Sequence, residues 1–198
     1  MEQRTSKVYH ILWTALPYMG LIVWGALCIT DNLWYDEAYT AALSGGGPHF
    51  WPLKLFSLLW MFAYMLLGKY GVKRLYDEQT SVYFMLFSIL MPSMCVQAGN
   101  ARMYAMGLFF FTAAGLLACG ILKQSSSAKW ILLSLCGIGS VYSHTFSMIE
   151  TFILYLILLG ALLYRKKYAL LKWYLASGLA VGLCYMAWLL VVYRQMQT

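Results

Sequence analysis

The chain has 198 residues, 62% hydrophobic and 11% charged, with a mean hydropathy of +0.67 and a formal net charge of +7. A soluble globular domain carries roughly 25% charged residues, so the composition excludes a water-soluble fold and points to an all-α integral membrane protein. Runs of about twenty apolar residues do not suit a barrel of short alternating strands.

A bilayer-crossing helix needs roughly 20 apolar residues. On that measure the sequence predicts about seven transmembrane helices in one transmembrane domain, 1–198, at about 8–30, 50–67, 80–97, 104–122, 130–142, 146–164 and 172–193. The first follows Arg4 and Lys7 and imitates a signal peptide, but its length and the lack of a small-x-small cleavage site mark an uncleaved helix. Pro17 and Pro92 fall inside predicted helices and are expected to kink them. Ser143, His144 and Thr145 interrupt the apolar run from 130 to 164 and are read as the break between two helices.

The basic residues set the orientation. With a cytoplasmic N-terminus, Arg4, Lys7, Lys69, Lys73, Arg74, Lys123, Lys129, Arg165, Lys166, Lys167 and Lys172 fall at inner ends, eleven of the fourteen Lys and Arg. This is the asymmetry of the positive-inside rule. The net charge therefore reports topology, and no nucleic-acid partner is implied. The same scheme sends the unusual polar residues to the outer face. Asp31, Asp36, Glu37 and His49 lie in a first outer loop, 31–49. Gln97, Asn100, Arg102 and Tyr104 surround a second, and Tyr142, Ser143 and His144 mark a third, with Glu150 inside the helix that follows.

Three constellations carry candidate chemistry. In "NLWYDEAYTAAL", Asp36 and Glu37 stand between aromatic residues where the chain leaves its first helix. Adjacent carboxylates near lipid have raised pKa values, and such a pair suits a general base for a hydroxyl or a divalent-cation site. The alternative is a solvated pair of loop acids. Arg102, in "QAGNARMYAMG", is a lone outer arginine whose guanidinium fork matches phosphate; its alternative is snorkelling to lipid headgroups. His144 and Glu150 form the third. An intramembrane glutamate is a functional candidate by default, but a spacing of six does not put the two on one helical face. A capping histidine and a buried, hydrogen-bonded glutamate are the competing readings. The five cysteines read as core residues, and Gly178-x-x-x-Gly182 as a packing face.

"LWYDEAYTAAL" after a first transmembrane helix resembles the first outer loop of GT-C class membrane glycosyltransferases, in the protein mannosyltransferase and aminoarabinose transferase branch. "QAGNARMYAMGLFF" is similar to the R-x-Y segment opening a later helix in those proteins, and "VYSHTFSMIE" to their aromatic-x-His helix end. The resemblance implies a GT-C-like transmembrane module in the plasma membrane with its active site facing outward. Its reaction would move a sugar from a polyprenyl-phosphate-linked donor to a hydroxyl acceptor on a lipid, glycan or protein. Asp36 would then activate the acceptor, with Glu37 positioning it. Arg102 would hold the donor phosphate, assisted by His144, with Lys54 a further candidate and Gln97, Asn100 and Tyr104 beside it. No metal or other cofactor is required, although the acid pair could bind a divalent cation. The first outer loop is shorter than in those relatives and the helices number about seven. The alternatives are therefore a truncated or non-catalytic membrane relative and, behind it, a proton- or ion-coupled carrier using Glu150 and His144.

Overall fold

A computed structural model describes residues 2–30, 51–99 and 103–195. The first outer loop, with Asp31, Asp36, Glu37 and His49, lies outside the described residues, as do Asn100 and Arg102. The fold is all-helical, and no strand occurs among the described residues. In chain order the helices are α1 (Glu2–Thr30), α2 (Trp51–Leu66), α3 (Glu78–Leu90), α4 (Pro92–Gly99), α5 (Tyr104–Lys123), α6 (Ser127–Ser143), α7 (Thr145–Tyr164) and α8 (Leu171–Gln195). Beyond Leu66 the α2 helix continues as a π-helical stretch, Leu67–Val72, and a last α-turn, Lys73–Leu75.

Five helices among the described residues are long and apolar enough to cross a membrane. They cover Lys7–Ile29, Lys54–Leu75, Tyr104–Lys123, Phe146–Tyr164 and Tyr168–Leu189. The sequence predicts seven spans, and the difference has local causes. The stretch read as one span at 80–97 is two helices of 13 and 8 residues. Pro92 has no N–H to continue the ladder and disfavours helical geometry at the residue before it, and Met91 is extended at φ −75°, ψ 117°. Pro92 then opens α4, where a missing N–H costs nothing. The fifth predicted span is α6, 17 residues long, about 26 Å at 1.5 Å per residue and short of a hydrocarbon core of about 30 Å. Between α6 and α7, His144 is extended at φ −163°, ψ 151°.

The helices gather into two compact units, Met1–Phe109 and Phe110–Thr198. In the first, α1 packs on α2, α3 and α4 around Leu16, Trp24, Met61, Met65, Val82, Met85, Ala98 and Ala105. Three methionines in this core suit the uneven gaps left by crossing helices. Its outward positions stay apolar, with Ile11, Ile22, Leu59 and Phe87 all exposed; such a surface suits lipid and not water.

The π-helical stretch ties this unit together. A wider turn interrupts the regular backbone ladder, and groups so freed need partners when water is excluded. Ser81 Oγ donates to Gly68 O at 2.8 Å and to Lys69 O at 3.2 Å, and Trp13 Nε1 donates to Lys69 O at 3.1 Å. The stretch is thereby held by α1 on one side and α3 on the other. Just beyond it, Asp77 and Glu78 form a second adjacent acid pair, and both have structural work. Asp77 caps α3, accepting from Thr80 N at 2.6 Å, and that backbone hydrogen bond holds its carboxyl below the usual aspartate range. Glu78 accepts from Lys73 Nζ at 2.5 Å and meets His10 Nδ1 at 3.4 Å. The Lys73 hydrogen bond likewise holds its carboxyl down.

In the second unit α8 packs chiefly on α6, and α6 on α7, around Ile121, Trp130, Leu133, Tyr155, Leu158 and Leu162. Hydroxyls bridge the helices. Ser134 Oγ donates to Ser177 Oγ at 2.8 Å, Tyr155 Oη lies 2.7 Å from Ser177 Oγ, and Thr151 Oγ1 donates to Ser140 Oγ at 2.9 Å. The C-terminus of α5 is closed by two lysines: Lys129 Nζ donates to Gly120 O and Lys167 Nζ to Leu122 O. At the end of α7, Lys166 takes φ 53°. Lys166 N donates to Leu163 O and Lys167 N to Leu162 O, the paired bonds of a Schellman turn.

Two outcomes follow from these contacts. A Cβ on Gly68 would meet Phe84 Cδ1 at 2.5 Å and Met85 Cγ at 3.3 Å, whereas one on Gly115 meets nothing within 4 Å. Gly68→Ala is expected to destabilise by roughly 1–3 kcal/mol through overpacking, and Gly115→Ala to be neutral or stabilising, both read by thermal unfolding in detergent. A carboxyl whose folded pKa lies below its unfolded value of about 4.3 adds stability above that value and loses it as pH falls toward the folded pKa. Glu78→Gln should therefore lower stability at pH 7 and flatten the acid limb of a stability-versus-pH curve below about pH 5.

Candidate functional site

At one end of the first unit, three segment ends meet. Cys28, in the last turn of α1, donates its thiol to Ala98 O near the end of α4 at 3.1 Å. Lys54, in the first turn of α2, donates Nζ to Cys28 O at 3.1 Å. Lys54 is buried, 6% exposed. A lysine so enclosed is tolerated where its ammonium is hydrogen-bonded, and the carbonyl end of a helix favours a cation. These contacts gather the three points from which the undescribed segments depart: the chain leaves α1 toward Asp36 and Glu37, returns at α2, and leaves α4 toward Asn100 and Arg102.

Gln97 stands on α4, two residues from the end of the helix, and Tyr104 opens α5, half-buried and beside the buried Ala105. Trp24 lies one turn before Cys28, on the same face of α1. It is fully buried, and its indole Nε1 is the one enclosed side-chain nitrogen or oxygen without a hydrogen bond among the described residues. An unsatisfied buried donor is costly, which makes Trp24 a place where a polar acceptor atom would be stabilised. Nothing in the sequence singles it out, because an interior tryptophan in an apolar helix carries no distinguishing pattern.

His144 belongs to the second unit. It is the N-cap of α7: Nδ1 accepts from Phe146 N at 3.1 Å, and its ring stacks on Phe146 with centroids 5.3 Å apart and planes 16° from parallel. The capping geometry accounts for its extended backbone and for the helix break. Glu150 lies on the exposed face of α7. Among the described contacts His144 and Glu150 share no hydrogen bond.

The second unit also holds a cavity of about 430 Å³ lined by Thr151, Tyr155, Tyr174, Gly178, Val181 and Tyr185, among others. The glycines leave room beside α7, and no atom lies within 4 Å of a Cβ built on Gly182. Its walls are almost wholly apolar, so it has room for an apolar group. Among the described residues no three His, Cys, Asp or Glu side chains gather as metal ligands.

Comparison with protein-family models, with curated proteins and with solved structures finds no match to this chain.

The cap makes a direct forecast. His144→Ala should cost about 1 kcal/mol of stability, and His144→Asn, which restores a capping acceptor, should recover most of it. Thermal unfolding of the two variants in one detergent measures the difference; a large loss in both would reveal a further role for the imidazole.

Proposed function

We propose that the chain is a membrane glycosyltransferase of the GT-C kind, moving a sugar from a polyprenyl-phosphate carrier to a hydroxyl acceptor. The observation that supports this reading most is the Lys54–Cys28–Ala98 junction. It draws together the roots of the two segments bearing Asp36, Glu37 and Arg102, residues that lie more than sixty positions apart.

The chemistry needs a base on one side of the sugar and positive charge on the other. In the proposed reaction the Asp36 carboxylate takes the proton of the acceptor hydroxyl as its oxygen attacks the anomeric carbon, and Glu37 orients acceptor or base. The bond from the anomeric carbon to the phosphate oxygen breaks, and polyprenyl phosphate departs with the electron pair. Arg102 receives the growing phosphate charge in a two-pronged contact, and Lys54 adds a cation at the same end of the unit. Gln97, Asn100 and Tyr104 are the further substrate contacts of this reading, and His144 serves as the N-cap of α7. The acid pair can work as a base without a metal. In this reading the N-terminus is cytoplasmic and the site opens to the outside of the plasma membrane, the orientation that the distribution of lysines and arginines favours.

Two measurements test it. Polyprenyl phosphate at about 100 times its Kd should stabilise the chain by roughly 2.7 kcal/mol, an effect absent with phosphate-free polyprenol and lost in Arg102→Ala. With a matched sugar donor, Asp36→Asn should keep that binding and lose transfer by about 10²–10⁴-fold. Transfer at the normal rate in Asp36→Asn would reject the base. Binding without transfer across a full panel of sugar donors would identify a non-catalytic lipid-phosphate protein.

A further inference from the structure

A second charged centre lies in the first unit, away from Lys54, where the π-helical stretch meets α1. Lys69 is 6% exposed, yet among the described residues no carboxylate lies at ion-pair distance from it. Its ammonium is surrounded by rings, with Nζ 4.5 Å from the centroid of Trp13, 5.6 Å from Tyr70 and 5.9 Å from Tyr18. Ring faces attract a cation, but less strongly than desolvating an unpaired ammonium opposes it. Lys73 Nζ sits 3.9 Å from the centroid of the same Trp13 ring, so two ammonium groups converge on one indole. The only carboxylate paired there among the described residues is Glu78, already shared between Lys73 and His10. One positive charge is left over.

The site is not sealed. Lys69 Nζ makes no described hydrogen bond, and it is not among the fully enclosed unsatisfied atoms, where Trp24 Nε1 stands alone. The ammonium therefore keeps a path outward. Two of the rings around it reach the outer surface, Tyr18 at 57% and Tyr70 at 58% exposed, and Ile11 and Ile22 share the Tyr18 face of α1 at 65% and 70%. Both helices carrying the cluster are among those able to cross a membrane, and tyrosine and tryptophan at such a position suit the headgroup level.

We infer that Lys69, with Lys73 and the Trp13, Tyr18 and Tyr70 rings, forms a binding site for the phosphate of an anionic bilayer lipid whose chains lie along the Ile11–Tyr18–Ile22 face. A phosphodiester supplies the missing negative charge and acceptor oxygens for both ammonium groups, while its acyl chains cover the exposed apolar stripe. The site is separate from the glycosyl-transfer reading and does not depend on it.

The test uses the full chain in a non-ionic detergent, with thermal unfolding followed during titration by short-chain phosphatidylglycerol, short-chain phosphatidylcholine or inorganic phosphate. Phosphatidylglycerol should raise the unfolding midpoint saturably, and the other two should not at the same concentrations. Lys69→Met should weaken the phosphatidylglycerol effect by about tenfold or more, the loss of one charge-assisted contact. Lys69→Arg should retain it, as should Lys172→Met, which changes a lysine of the second unit. Glu78→Gln, which releases Lys73 from its competing carboxylate, should tighten binding. If Lys69→Met does not fold, Lys73→Gln takes its place. Unchanged phosphatidylglycerol binding in the folded lysine variants overturns the site, and equal protection by inorganic phosphate overturns its assignment to a lipid.

Discussion

The carbonyl oxygens of Gly68 and Lys69 are the point on which the first unit depends. A helix in lipid has no water to satisfy an interrupted backbone, so the π-helical stretch can persist only where side chains replace the lost partners. Trp13 from α1 and Ser81 from α3 do this, and three helices are fixed to one another by the same repair. Lys69, within the same turn, carries its ammonium 4.5 Å from the centroid of the Trp13 indole. The aromatic enclosure of its ammonium and the hydrogen bonds to its own carbonyl meet at this one stretch of the helix.

The second unit is held by a different device. Ser134, Ser140, Thr151 and Ser177 are small enough to let helices approach, and each hydroxyl finds a partner across the contact or within its own helix. In lipid such bonds supply cohesion that burial of leucine cannot, because the surrounding chains are equally apolar. Tyr155 joins this network through Ser177 and also lines the cavity, so the network that holds the helices borders unfilled space.

Much of the helical layout was legible from hydropathy, because long apolar runs have few alternatives in a membrane protein. The continuous span at 80–97 was not, since hydropathy is blind to the backbone at Met91, which Pro92 forces out of the helix. The acid pairs are instructive. Asp36–Glu37 and Asp77–Glu78 are the same dipeptide, and the second is spent on a helix cap and an ion pair. A D-E pair thus has no chemical meaning by itself, and the case for Asp36 rests on its neighbours and its place in the chain. His144 shows the same limit: the capping role and the catalytic role use an identical residue at a helix boundary. Lys69 read as one more basic residue in the topology count, because its aromatic surroundings come from Trp13 and Tyr18, far away in sequence.

The turn after α7 bears on how the protein is made. Lys166 and Lys167 return their amide hydrogens to Leu163 and Leu162, and within a few residues Leu170 donates no further than Lys167. The backbone of the connection to α8 thus answers much of its own hydrogen-bonding need locally. Two apolar helices joined by such a turn can leave the translocation machinery one after the other with the turn already satisfied, before α8 finds its main packing partner, α6. The three consecutive basic residues of that turn, Arg165 to Lys167, would hold it back on the side of synthesis while the helices go in.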